Sequence, residues 1–163
     1  MKNKLFALWL FAALICLSSC LFSGKPKNMP IVNEILTELN RVRSNPKKYA
    51  EEEIKPRLKY FDGKLYKVPG QIPIQTNEGA SAVQECIDVL MKTKPMETLA
   101  LESGLSLAAQ WLADDQANTG TIGHYGSDGS SPFERMNRYG KWLITAGENC
   151  AYGPKTGKEI VAQ

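Results

Sequence analysis

The chain holds a single histidine, His124, in a glycine- and serine-rich stretch, GHYGSDGSSPFERMNRYG, that runs from Gly123 to Gly140. A second motif, GENCAYG, follows and sets Glu148 between Gly147 and Asn149. An imidazole titrates near neutrality and is the commonest nitrogen ligand for metals. A carboxylate bonded to it orients the ring and raises its basicity. By residue type Glu148 can orient the His124 imidazole in this way, and both are candidate ligands of a weakly bound divalent metal such as zinc. Catalytic zinc sites typically use three protein ligands. With one histidine, and no cysteine placed to help, these residues alone are expected to make no tight site. The competing reading has His124 bonding a backbone carbonyl to fix its loop, with Glu148 and Asn149 capping nearby amides.

Other polar residues read more simply. Ser127, Asp128 and Ser130 lie among glycines, where short polar side chains satisfy backbone groups and make turns. Asn40 and Arg43 stand three apart on one side of a helix and suggest a structural tie to the loop that follows it. Trp111 and Trp142 fit core or cleft-wall positions. No serine stands in a strand–turn–helix elbow of the hydrolase type, so no catalytic residue is assigned.

These residues need positioning elements. Ile31, Val32, Ile35, Leu36, Leu39 and Val42 recur at helical spacing, predicting a helix from Pro30 to about Ser44. Asn45-Pro46 then reads as an N-cap with proline at the first helical position, opening a short helix with Tyr49, Ala50 and Ile54 on one face. Asp62-Gly63 signals a hairpin within residues 55–76. Helices are expected again from Asn77 to about Lys92, with Val83, Cys86, Ile87 and Leu90 on one face, and from Ser103 to Asn118, lined by Leu105, Ala108, Ala109 and Leu112. Gly120 is placed for a left-handed cap. Ser131-Pro132-Phe133-Glu134 has capping-box spacing and opens a helix with Phe133, Met136 and Tyr139 inward. Trp142–Ala146 is apolar enough for a strand. Thr156-Gly157-Lys158-Glu159 repeats the box spacing at the start of a helix that has little more than a turn left. Several helices with few strands suggest a domain continuing beyond Gln163; a natural end with a frayed tail is the alternative.

The N-terminus reads as a targeting segment. A short basic start precedes an apolar run, Leu5–Leu17, too short to span a bilayer of ~30 Å as a helix. Leu17-Ser18-Ser19-Cys20 then resembles the lipobox of bacterial lipoproteins, in which the cysteine is acylated. An ordinary signal peptide is the competing reading. On the first reading, residues 1–19 are a signal, 20–29 a polar tether and 30–163 the domain, anchored through Cys20 to the cell membrane or the outer membrane. Of the formal charge of +3, Lys2 and Lys4 leave with the signal. No basic stripe with interleaved aromatics remains, which argues against nucleic acid as a partner. Cys86 and Cys150 are left to pair in an oxidising compartment or to stay free; Cys86 on an apolar face favours the free thiol.

LNRVRSNPKKYA, GLSLAAQWLADDQ, GHYGSDGSSPFERMNRYG and AGENCAYG, in this order, resemble a bacterial member of the CAP superfamily: cysteine-rich secretory, antigen 5 and pathogenesis-related 1 proteins, also called SCP-like extracellular proteins. The resemblance runs from about Ile31 to the last residue. It implies an α+β fold, an α-β-α sandwich, of which this chain carries mostly the helices. It also implies a cleft with two histidines and two acids, of which His124 and Glu148 match the motif positions. In relatives the second pair lies further along. Two positions are notable: Cys150 stands where Ile, Leu or Val is usual, and Leu39 precedes Asn40 where eukaryotic relatives have histidine. The resemblance implies a non-catalytic binding module for a small ligand, a lipid or a weakly held metal. A metal-assisted hydrolase and an inactive fragment are the alternatives.

Overall fold

Capping chemistry and proline set the boundaries of the helices. The computed structural model describes residues 29–162; the expected signal segment, the expected tether through residue 28 with the expected acylation site Cys20, and Gln163 lie outside the described residues. Helix α1 (Met29–Ser44) stops two residues before Pro46. The Asn45 side chain accepts the Lys48 amide at 3.2 Å and opens α2 (Pro46–Tyr49), as the Asn-Pro pair predicts. The helical path then widens to a π turn (Ala50–Ile54) and tightens to a 3-10 segment (Lys55–Tyr60). Strands β1 (Phe61–Asp62) and β2 (Leu65–Tyr66) pair antiparallel across the Asp62-Gly63 turn, and β3 (Ile74–Gln75) adds antiparallel to β2. Gly63 adopts φ 59°, a value the turn requires and glycine supplies.

Helices α3 (Ala80–Lys92), α4 (Ser103–Thr119), α5 (Pro132–Tyr139) and α6 (Gly157–Val161) complete the described elements. The fold is α+β with a small sheet. No described helix is long and apolar enough to cross a membrane.

The chain forms two compact units. One comprises residues 37–98 and the end of the chain from Val161. Its core is Tyr49, Ala50, Ile54, Ile87 and Leu90, with Val42, Leu58, Val83 and Cys86 against it. The apolar faces read for α2 and α3 are the ones that meet. Arg43 is buried here, but its partner is not the loop after α1. Its Nε donates to the Glu97 carbonyl at 2.6 Å, and its own carbonyl accepts the Met96 amide at 2.8 Å. The tie is to a segment more than fifty residues away, beyond the reach of local pattern reading. Asn40, half-buried on α1, belongs to this unit.

The other unit comprises the described residues up to Leu36 together with Leu99–Ile160. Glu102 caps α4, accepting the Leu105 amide at 2.7 Å, and Gly120 ends it with φ 70°. The buried stripe of α4 is Gly104, Ala108 and Leu112, rather than the expected face that included Leu105 and Ala109; Leu105 is 40% exposed. Small residues let α5 approach closely. A Cβ at Gly104 would lie 2.8 Å from the Tyr139 carbonyl oxygen. Ser131 and Glu134 form the reciprocal capping box of α5. Its inward face is Arg135 and Met136; Phe133 is 44% exposed and packs on Trp142 at a ring separation of 5.5 Å. Trp142–Ala146 forms no strand. A strand needs a neighbouring edge for its amides, and none of the described residues supplies one.

Helix α6 opens where Thr156 and Glu159 cap each other, and the Glu34 carboxylate accepts the Gly157 amide at 3.0 Å. A Cβ at Gly157 would fall 2.5 Å from the Glu34 backbone. Cys86 and Cys150 are both free thiols.

Truncating Leu90, which is buried, to alanine should cost about 2–5 kcal/mol through lost apolar burial and a residual cavity. Val89→Ala, at an exposed neighbouring position, should stay within about 0.5 kcal/mol. Urea unfolding of the two variants checks the contrast.

Candidate functional site

Three segments of the second unit converge: the face of α4 carrying Trp111, Asp115 and Gln116, the loop 121–130, and residues 148–152. The loop folds on itself first. Gly126 donates to the Ser130 carbonyl at 3.0 Å, and Gly129 to the Gly126 carbonyl at 2.9 Å. Asp128 accepts the Ser130 amide at 2.9 Å and Arg138 Nη2 at 2.8 Å. Bonding from Ser130, then the Arg138 guanidinium, holds the Asp128 carboxyl down to about 2. Ser127 bonds the Asp115 carboxylate through both its amide and its hydroxyl. Asp128 therefore does the turn-making its type suggests, while Ser127 instead ties the loop to Asp115 of α4 and Ser130 acts through its backbone.

The loop then docks on α4. Gly126 lies on the Trp111 ring so closely that a Cβ would come within 2.6 Å of Cζ3. Arg138 caps the same indole, its guanidinium carbon 4.9 Å from the ring centroid. Gly123, the residue before the histidine, is held from both sides. Its amide donates to the Tyr152 hydroxyl at 2.8 Å, and its carbonyl accepts Gln116 Nε2 at 2.8 Å. The backbone that presents His124 is thus fixed by α4 and by the segment after Glu148.

His124 and Glu148 do meet. The imidazole Nδ1 lies 3.1 Å from Glu148 Oε1, with the His124 side chain 51% exposed and that of Glu148 12%. A carboxylate partner assigns the proton to Nδ1 in the neutral ring. The alternative in which the ring bonds only a backbone carbonyl is not what the structure holds. Asn149 is exposed and lines a recess beside the pair.

Two groups at the site were not assigned to it from the sequence. The first is Arg135, the largest fully buried side chain. Its Nη1 donates to the Ser130 carbonyl at 2.7 Å, and its Nη2 to both oxygens of Glu148 at 2.9 and 2.8 Å. A buried guanidinium must be paired, and Glu148 supplies the opposite charge. The signal was present in the sequence: on a helix opening at Pro132, Arg135 adjoins the inward Met136. The usual reading of arginine as a surface residue hides it.

The second is Cys150. Its sulfur sits 3.5 Å from His124 Nδ1 and 3.9 Å from Glu148 Oε1, and donates to the Gly123 carbonyl at 3.4 Å. The expectation that no cysteine stands near the histidine is therefore corrected. Residues 148 and 150 both reach the recess because the segment between them is irregular, so alternation is not enforced. Burial pushes the Cys150 thiol above its ordinary range. His124, Glu148 and Cys150 form a group whose ligand atoms lie within 4.8 Å of one another.

The recess encloses about 170 Å³ and is lined by α4 residues Leu112 and Gln116 together with residues 148–152.

The sequence model of the CAP family, described as the cysteine-rich secretory protein family, matches residues 36–163. No curated protein and no solved structure gives a significant match.

Arg135→Met should destabilise the chain by about 3–5 kcal/mol, because it leaves the Glu148 charge without its buried partner. The double variant with Glu148→Leu should recover part of that loss in urea unfolding. Asp128 gives a second test. Its folded value lies below the ~3.9 of an unfolded chain, so its contribution is present above about pH 4 and lost as pH falls through about 2. Asp128→Asn should therefore be less stable than the parent near neutral pH, and the difference should vanish below the folded value.

Proposed function

This chain belongs to the cysteine-rich secretory protein (CAP) family, and from that premise we propose that it is a lipid-anchored, extracytoplasmic binding module without hydrolytic activity. The observation that carries the binding role is the 3.1 Å His124–Glu148 contact at an open recess, with both carboxylate oxygens engaged by buried Arg135. Held at both oxygens by Arg135, the carboxylate is a fixed acceptor that orients the ring. It is poorly placed to take and return a proton in each turnover, as a general base must. At about 170 Å³ the recess is smaller than the ~300–1,000 Å³ of sites for drug-sized ligands. That size favours an occupant of few atoms, or a metal ion with its water, over a whole lipid. The lipid in this reading is the anchor on Cys20, supported by the Leu17-Ser18-Ser19-Cys20 sequence behind an apolar run. The acyl chains hold the domain at a membrane and are not the ligand of the cleft.

Zinc chloride, added to the full chain, should raise the melting temperature of the parent and not that of His124→Ala. In the same samples p-nitrophenyl acetate and casein should not be turned over above buffer rates. Zinc-dependent turnover lost in His124→Ala would replace this reading by a metal-assisted hydrolase. A non-cooperative melt of the parent would favour an inactive fragment. Metabolic labelling with palmitate should mark the parent and leave Cys20→Ala unlabelled.

A further inference from the structure

We propose that Cys150 is a metal ligand, and that it makes with His124 and Glu148 a three-donor sulfur–nitrogen–oxygen site for a thiophilic divalent ion such as zinc. The inference rests on the reading of the His124–Glu148 recess as a binding site and adds the atom that sets its selectivity.

The argument is geometric. The three donor atoms form a triangle with edges of 3.1 Å (Nδ1 to Oε1), 3.5 Å (Nδ1 to Sγ) and 3.9 Å (Sγ to Oε1). Tetrahedral zinc, with bonds of about 2.0–2.1 Å to nitrogen and oxygen and about 2.3 Å to sulfur, requires edges of about 3.3, 3.6 and 3.6 Å. Each observed edge lies within about 0.3 Å of its requirement. The side chains therefore stand on three corners of a zinc tetrahedron before any ion enters. The half-exposed imidazole leaves the fourth corner on the solvent side, for water or an incoming ligand. Three protein ligands with one open position is the ligand count zinc has in its catalytic sites.

Charge decides which ion fits. The Arg135 guanidinium already compensates Glu148, so the carboxylate offers a lone pair but little net charge. A hard cation such as magnesium or calcium relies on oxygen ligands, and this site has one, with a guanidinium 2.9 Å away. The remaining negative charge must come from sulfur. When the ion binds, the S–H proton leaves to solvent as the sulfur–metal bond forms. The imidazole proton moves from Nδ1 to Nε2, freeing the Nδ1 lone pair. No electrons are transferred. Thiolate and imidazole together select zinc, cobalt or cadmium over magnesium and calcium.

The test uses cobalt(II) chloride as a spectroscopic probe on the full chain under reducing conditions. One equivalent should produce a near-ultraviolet thiolate-to-cobalt charge-transfer band, abolished by zinc and unaffected by excess magnesium or calcium. Cys150→Ser and Cys150→Val should both lose the band, and their zinc affinity should fall about tenfold or more, while Cys86→Ala keeps both. The valine variant fills the same apolar niche, so a folding defect in the serine variant does not obscure the outcome. A cobalt spectrum of the parent without the thiolate band, or a band that persists in the Cys150 variants, overturns the proposal. Zinc stabilisation that needs His124 but not Cys150 would sink this inference and leave the binding-module reading standing.

Discussion

A guanidinium with no exposed surface organises the site. Arg135 enters the interior on the first turns of α5, and an unpaired charge there would be prohibitive. The fold resolves this by bringing the Ser130 carbonyl and both Glu148 oxygens to it. Ser130 closes the loop that carries His124, and Glu148 opens the segment that carries Cys150 and Tyr152. One cation thus fixes the distance between two stretches that do not otherwise share a secondary structure. The remaining contacts refine a placement that Arg135 has already made.

Helix α4 is the platform beneath this arrangement, and its side chains divide the work by position along one face. Trp111 takes the glycine corner of the loop, Asp115 takes the Ser127 end, and Gln116 takes the carbonyl beside the histidine. Leu112 lies between them and lines the recess. The loop itself has little regular structure to hold it. Its order comes from short polar bonds to a helix that is rigid for other reasons, namely the Gly104–Ala108–Leu112 stripe and a cap at each end. This is why a site on a loop can be as well defined as one built on helices.

Much of this was legible in the sequence, because helix boundaries are local chemistry. Asn45-Pro46, Gly120 and the Ser131/Glu134 box each mark an end that depends only on neighbours a few residues away. The apolar faces of α2 and α3 follow from spacing. Motif resemblance paired His124 with Glu148, which spacing alone could not have done. Long-range polar choices were not legible. Arg43 chooses a carbonyl at residue 97, and Arg135 a carboxylate at residue 148. Neither partner can be read from the local sequence, although the position beside the inward Met136 does mark Arg135 as facing the interior. Cys150 was read as a substitute for an apolar residue, which its partial burial supports. Its approach to the imidazole depends on how an irregular segment is held by Tyr152. The reading of Trp142–Ala146 as a strand failed for a related reason, since apolar composition does not provide a pairing partner.

The bond between the Glu34 carboxylate and the Gly157 amide joins positions 123 residues apart, at a contact so close that a side chain at 157 has no room. A nascent chain makes Glu34 early and Gly157 late. During synthesis, the first turns of α1 therefore wait with one face uncovered while most of the polypeptide is still to come. Completion of this contact therefore waits until Gly157 has been made, and for that interval the uncovered stretch is a target for chaperones or for wrong partners.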